Sequence, residues 1–209
     1  MIQKAQDKLD YTLALLSTVA DGKRQGCIIN SLHQVTSSFP AKFTVTLNRE
    51  SETAKAVEAS GMFSVTLLGA DCPESIVNDF GYKSGRAGDK FASYDVLTDK
   101  QGNPYIKDGM VGRLSLKVVD KLEIGNFMLY VAQLVENEIL LPPGNVLTLN
   151  AFTNRGKATP ASATVYRTVE INGYRCAICG YVYEGESLPE DFVCPICRAA
   201  AKYFEKIEK

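Results

Sequence analysis

Two Cys-x-x-Cys pairs near the C-terminus constrain this chain more than anything else in it. They read Cys176-Ala177-Ile178-Cys179-Gly180 and Cys194-Pro195-Ile196-Cys197. One such pair is compatible with a redox dithiol. Two in close succession, each able to form a tight turn, describe a tetrathiolate metal cage in which each pair grips the ion from one side. Zinc and iron are the metals that commonly accept four thiolates in tetrahedral geometry. Zinc makes such a tail a structural peg, whereas iron makes it an electron carrier. A unit so small has little apolar core, so the metal contributes folding free energy in either case.

The 209 residues suit one medium domain plus this small metal module. A formal net charge of −1 at pH 7 gives no electrostatic case for a nucleic-acid partner or an anionic membrane surface. No apolar run is long enough to span a bilayer. The opening Met1-Ile2-Gln3-Lys4-Ala5-Gln6-Asp7-Lys8 lacks the apolar stretch of a signal peptide. Thiolate ligands persist most easily in a reducing compartment, so the expected location is the cytoplasm. Cys27 and Cys72 lie in apolar settings and are expected to be buried free thiols.

Ahead of the cysteines the pattern is that of a β-rich domain, residues 1–166, with the metal domain at 167–209. Tyr11–Ala20 is apolar enough for a buried strand, and Asp21-Gly22 is a strong hairpin signal before the strand resumes at Cys27. Residues Lys42–Leu47 alternate as a half-buried strand. Ser51–Ser60 reads as a helix with Ser51 as N-cap and Gly61 as stop. Met62–Leu68 reads as a strand, and Pro73–Phe80 as a short helix ended by Gly81. Val111–Ile124 and Phe127–Ile139 are two long strands joined at Gly125-Asn126, and Pro142-Pro143-Gly144 is a loop. Thr153–Ser162 reads as a linker or extended arm, and Ala5–Leu9 as a docking helix. Many short strands with two embedded helices predict a mainly β fold, an antiparallel barrel.

One segment is unusually polar for a link between buried strands. Asn30, Ser31, Gln34, Thr36 and Ser37, with Val35 among them and Pro40 beyond, suit the rim of a flat heteroaromatic ligand. Further on, Asn48-Arg49-Glu50-Ser51-Glu52-Thr53 opens a helix. A helix N-terminus with Arg and hydroxyl side chains nearby is a ready phosphate site. Gly85-Arg86-Ala87-Gly88-Asp89-Lys90-Phe91 adds a second cationic loop. Singly, each has a plainer reading: a solvated charge at a helix end, or a satisfied strand edge. His33 is a candidate proton donor that equally packs or faces solvent.

In order and spacing these residues resemble the flavin reductase-like family, split β-barrels that bind FMN. The resemblance covers roughly residues 8 to 166 and includes Gly61-Met62-Phe63-Ser64-Val65 and Leu147–Phe152. It implies that Asn30, Ser31, Gln34, Val35, Thr36 and Ser37 contact the flavin ring and ribityl chain. It assigns Asn48, Arg49, Ser51, Thr53 and Lys90 to the phosphate and its surroundings. It places Phe152 near the flavin at a subunit contact in a homodimer.

The tail resembles rubredoxin, in Cys179-Gly180-Tyr181-Val182-Tyr183 and in Phe192-Val193-Cys194-Pro195-Ile196-Cys197. That resemblance implies one iron held by Cys176, Cys179, Cys194 and Cys197, shielded by Tyr174, Tyr181, Tyr183, Phe192 and Phe204. Two departures stand out. The loop between the pairs is shorter than in free-standing rubredoxins, and Arg198 stands where Gly usually permits a positive φ.

The fusion resembles the high-molecular-weight rubredoxins of anaerobic bacteria. It implies an oxidoreductase passing electrons from NADH or NADPH through FMN to iron, and on to an external acceptor such as a flavodiiron reductase of nitric oxide or dioxygen. An acidic loop of Glu184, Glu186, Glu190 and Asp191 is a candidate acceptor contact. Three other readings remain: a carrier without nicotinamide activity of its own, a flavin-binding module with a structural zinc ribbon, and the reductase of a two-component monooxygenase. No glycine-rich dinucleotide fingerprint is present, so a nicotinamide would stack in an open cleft.

Overall fold

A computed structural model of the chain describes residues 8–141, 144–164, 173–178, 182–195 and 198–207, without the side chains of 182 and 184. The chain divides into two compact units, Met1–Val165 and Tyr166–Lys209. The expected helix at Ala5–Leu9 falls mostly outside the described residues, as do Pro142 and Pro143.

The first unit opens with a hairpin of β1 (Ala14–Ala20) and β2 (Lys23–Ile29), paired antiparallel from Ala14↔Ile29 to Ala20↔Lys23. Its two-residue turn puts Asp21 at φ 50° and Gly22 at φ 72°. Positive φ at both central positions matches the right-handed twist of the strands, and Asp-Gly is the pair that tolerates it. A short β3 (His33–Gln34) pairs with β4 (Lys42–Asn48). Helix α1 (Glu52–Ser60) follows, with Ser51 Oγ accepting from Ala54 N–H and Gly61 closing the helix at φ 65°. Both termini are as the sequence predicts. Then comes β5 (Met62–Leu68).

The expected helix at Pro73–Phe80 is shorter. α2 spans Glu74–Val77, and the chain widens into a π turn, Asn78–Tyr82, that runs through Gly81. Gly81 therefore does not stop the helix. A Cβ there would lie 3.0 Å from Pro160 Cβ, so glycine admits a close approach of the C-terminal arm. A small hairpin of β6 (Val96–Thr98) and β7 (Pro104–Ile106) has no counterpart in the sequence reading. The long strands β8 (Met110–Ile124) and β9 (Phe127–Ile139) turn at Gly125-Asn126, with Gly125 at φ 55°. Helix α3 (Leu149–Thr153) completes the unit.

All the pairings are antiparallel, in the order β2-β1-β5-β8-β9-β4-β3. The start of β1 is buried on both faces, which explains the apolar run Leu13–Leu16. Ala14 and Leu16 join an inner core with Ile29, Val45, Phe63, Val65 and Tyr130, capped by Ala54 and Val57 of α1. Leu13 and Leu15 point the other way, into an outer core with Ile76, Phe80, Phe91 and Phe152. Successive strand residues face opposite sides, so the stretch clamped between two cores is apolar on both, and the buried hydroxyls that follow it, Ser17 and Thr18, donate to the Pro104 and Met62 carbonyls.

Residues Pro160–Thr164 form a docked arm. Ala161 N–H donates to the Gly81 carbonyl at 2.9 Å. The Ser162 hydroxyl donates to the Ile28 carbonyl, and Thr164 N–H to Asn30 Oδ1 at 2.7 Å. Among the described residues no helix is long and apolar enough to cross a membrane.

The second unit is a three-stranded sheet, β11 (Val182–Glu184), β10 (Gly173–Cys176) and β12 (Phe204–Lys206), with β10 central. Of the five aromatics expected to pack there, Tyr183, Phe192 and Phe204 are in ring contact, and Tyr181 lies outside the described residues. Tyr183 and Phe192 lie 4.7 Å apart between ring centroids, and Phe192 meets Phe204 edge-on at 5.4 Å.

Candidate functional site

The first unit carries a cleft of about 410 Å³ where β2, the end of β4, the start of α1 and the loop after the π turn converge. Its walls include Cys27, Asn48, Ser51, Thr53, Arg86 and Lys90. Four of the residues assigned to a phosphate from sequence, Asn48, Ser51, Thr53 and Lys90, are thus brought to one place. Ser51 caps α1 through its lone pair, which leaves its hydroxyl hydrogen available to a ligand. Asn48 Oδ1 accepts from Glu50 N–H at 2.9 Å and fixes the entry to the helix.

Lys90 is the unusual group. Among the described residues it has no ion-pair partner. Its Nζ donates to the Lys83 carbonyl at 3.3 Å and lies 5.4 Å from the Phe80 ring centroid. Burial lowers its pKa from the ordinary lysine value, with the neighbouring Cys27 and Asp79 pulling the other way. Burial likewise raises the Cys27 thiol, opposed by Lys90 and by a hydrogen bond with Thr53. A part-buried cation that makes no ion pair among the described residues, beside hydroxyls and the N–H groups that open a helix, fits a phosphate monoester. Cys27 and Cys72 are both buried free thiols, as expected, and Cys27 lies in the cleft wall.

The other residues assigned to the flavin lie elsewhere. Arg49 pairs with Glu123 on the surface and does not line the cleft. Asn30, 2% exposed, holds the arm through bonds to both N–H and C=O of Thr164. Ser31 bridges to the Thr46 backbone. Gln34, Val35, Thr36 and Ser37 form an exposed loop at the opposite end of β4 from Asn48, closed by Lys42 N–H on Thr36 Oγ1 and Val35 N–H on the Lys42 carbonyl. At about 3.3 Å per residue, β4 separates that loop from the cleft by about 20 Å. Phe152 is 3% exposed within the outer core, so burial in its own chain occupies the ring. His33 is exposed, with Nδ1 3.1 Å from the Ser31 carbonyl, and is not in the cleft wall.

Two features of the cleft were not legible in the sequence. The π turn and the residues just after it contribute Gly81, Tyr82, Lys83 and Ser84, and the arm contributes Ala161 and Ser162. The Gly81–Pro160 approach that joins them has no local pattern. The Arg86 wall had a signal in the Gly85–Phe91 loop. Its guanidinium donates to Glu52 Oε1 at 3.1 Å, lining the helix start with positive charge.

In the second unit Cys176 and Cys194 are both 1% exposed. Cys179 and Cys197 lie outside the described residues. Cys194 N–H donates to the Ala199 carbonyl at 2.8 Å and Arg198 N–H to the Cys194 carbonyl at 2.9 Å, which closes a tight turn after the second pair. Arg198 sits in that turn at φ 60°, the left-handed conformation its position predicts. Two buried thiols on separate turns of an apolar-lined module are the donor chemistry a thiolate metal centre requires.

Comparison with known proteins agrees with both halves. Residues 7–150 match the flavin reductase like domain family, and residues 174–205 match the rubrerythrin, rubredoxin-like domain family. A high molecular weight rubredoxin from Moorella thermoacetica is 29% identical over 99% of this chain and 100% of its own length. A ferric-chelate reductase (NAD(P)H) from Archaeoglobus fulgidus is 33% identical over 76% of this chain and 94% of its own. Among solved structures, an FMN-binding protein from Thermus thermophilus superposes with a TM-score of 0.63 at 18% identity, covering 80% of this chain and 95% of that one. The chain belongs to the flavin reductase-like family, and through its C-terminal rubredoxin-like domain it is a full-length homologue of high molecular weight rubredoxin.

Proposed function

We propose that this protein takes electrons from NADH or NADPH at an FMN held by the first unit and passes them singly through an Fe(Cys)4 centre to an external redox protein. The observation that carries this reading is Lys90, a part-buried cation that no carboxylate meets at ion-pair distance among the described residues, facing the cleft beside Ser51, Thr53 and the start of α1. The name of the Archaeoglobus relative supports a nicotinamide donor.

When bound, a flavin supplies exchange between hydride chemistry and one-electron chemistry, which a nicotinamide and a tetrathiolate iron require between them. The rest is positioning by the chain. Lys90, Ser51, Thr53 and the free N–H groups of α1 hold the phosphate, with Asn48 shaping the helix entry. Asn30 serves the site indirectly, by docking the arm that brings Ala161 and Ser162 to the cleft wall. Cys176, Cys179, Cys194 and Cys197 hold the iron. No side chain needs to act as acid or base.

We assign the acceptor to a flavodiiron reductase of nitric oxide or dioxygen, met through the acidic loop that contains Glu186, Glu190 and Asp191. The protein acts as a homodimer in the cytoplasm. The test is an anaerobic visible spectrum of the purified protein before and after NADH or NADPH, with metal analysis on the same sample. Flavin and iron–thiolate bands that both bleach are expected. Flavin bleaching over a zinc-filled site removes the iron step, and no bleaching with either nucleotide makes the protein a carrier reduced by something else.

A further inference from the structure

Two described residues other than glycine hold a positive φ, Asp21 at 50° and Arg198 at 60°. Asp21 is accounted for, because Asp tolerates the left-handed region and the two-residue turn of the first hairpin requires it. Arg198 belongs to no such class. Two backbone bonds impose its conformation, from Arg198 N–H to the Cys194 carbonyl at 2.9 Å and from Cys194 N–H to the Ala199 carbonyl at 2.8 Å. Those bonds would hold any residue in the same way, so the turn explains the strain and not the arginine.

Contact does not explain the arginine either. Arg198 is exposed, and among the described residues its guanidinium has no ion-pair, hydrogen-bond or ring partner. What remains is a permanent positive charge, one residue after Cys197 and on the turn that holds the buried thiol of Cys194. Neighbouring Cα atoms are about 3.8 Å apart, so that charge stands on the order of a Debye length from the sulfurs and salt screens it only in part. A ferric ion among four thiolates leaves one negative charge, and a ferrous ion leaves two. A nearby cation favours the more negative state, so it favours the reduced one.

Resting on the flavin-to-iron reading above, we propose that Arg198, through its charge, raises the reduction potential of the tetrathiolate centre and so favours electron flow from flavin to iron. No bond forms or breaks in this step. One electron leaves the reduced flavin and enters the metal centre, and the arginine keeps its proton throughout.

The test is a spectroelectrochemical titration of the full-length protein reconstituted with iron, read in the iron–thiolate absorption. Wild type is compared with Arg198→Gln, Arg198→Lys and Arg198→Gly. Gln keeps the Cβ and its strain but removes the charge, Lys keeps both, and Gly removes both. In Arg198→Gln the equilibrium constant for one-electron reduction is expected to fall about three- to tenfold, a downward shift of roughly 30–60 mV. Arg198→Gly should fall equally, and Arg198→Lys should stay within about twofold of wild type. The gap between wild type and Arg198→Gln should narrow in 1 M salt, where the Debye length is about 3 Å. Equal potentials in wild type and Arg198→Gln overturn the proposal. A shift in Arg198→Gly alone also overturns it, because the backbone and not the charge is then the cause. The readout does not require flavin, so protein that takes iron but no FMN removes the flavin reading and still decides this one. Protein that shows no iron–thiolate band after reconstitution removes the iron step, and the proposal with it.

Discussion

Arg198 at φ 60° shows what one residue can cost. The left-handed conformation brings Cβ against the following carbonyl and costs an L residue about 1–2 kcal/mol, a cost glycine avoids. Glycine also enlarges the unfolded ensemble, which returns part of the gain. Arg198→Gly is therefore expected to stabilise the metal unit by up to about 1 kcal/mol. Slower loss of metal to a chelator checks this, and faster loss would show that the arginine makes a contact worth more than its strain. Lys90 carries the second argument at this scale. Its lowered pKa means that, between that value and the ordinary lysine range, the unfolded chain holds a proton the folded chain has released. Stability of the apoprotein rises with pH across that window. Affinity for a phosphate dianion falls across the same window, because the anion requires the charged form. Lys90→Met is expected to weaken FMN binding about tenfold or more near neutral pH and to flatten both profiles. Fluorimetric titration of the apoprotein across the alkaline range measures this, and an unchanged dissociation constant would place the phosphate elsewhere.

Elements differ in how openly the sequence declares them, and the difference is one of range. Asp21-Gly22, Ser51 with Gly61, and Gly125-Asn126 were legible because turn and cap chemistry is local: the residue that adopts the unusual φ or supplies the cap is the one that can. The start of β1 was legible because both of its faces are buried. What stayed hidden depends on partners far along the chain. Ser64, Thr66, Arg113 and Ser115 sit on β5 and β8 as buried polar groups. The sequence gives no sign of this, because the β6–β7 hairpin covers them. Arg113 reaches Glu136 and Glu138 at 3.2 and 3.1 Å and stacks 4.8 Å from the Tyr105 ring, and Ser115 donates to Asp99. The candidate site was half legible for the same reason. Ser51 and Thr53 follow from a local helix start, whereas the arm that closes the cleft is fixed by Asn30, a residue assigned to the ligand from sequence. Asn30→Ala removes bonds at 3.1 and 2.7 Å to Thr164 and strands two backbone groups. The expected cost is about 1–3 kcal/mol, with earlier proteolytic cleavage between Lys157 and Thr164. Wild-type resistance to protease in that variant would show that Ala161 and Ser162 suffice to dock the arm.

At the scale of the whole molecule, the chain forms two compact units, and the proposed function divides two kinds of redox chemistry between them. The division makes a strict prediction about order. If electrons pass in series, damage to the second unit must leave the first step intact, whereas damage to the first must silence both. Cys194 is the informative position, because its thiol is 1% exposed and lies between the Ala199 and Arg198 backbone bonds that close its turn. Cys194→Ser keeps the size of the side chain and replaces a soft thiolate donor by a hydroxyl that binds iron poorly. Loss of the metal will loosen so small a unit, since binding and folding free energy are shared there. The cleft, built wholly within residues 27 to 162, does not depend on it. Full-length Cys194→Ser is therefore expected to hold FMN at the wild-type ratio and to bleach its flavin with NADH or NADPH at a rate within about twofold of wild type. Transfer to an added one-electron protein acceptor should fall at least about a hundredfold, toward what the flavin domain alone supports. Anaerobic stopped-flow absorbance resolves the first quantity and steady-state acceptor reduction the second. A parallel loss of both in protein that still carries its flavin would mean that the units do not act in series, and the proposed route from nicotinamide to iron would fall with it.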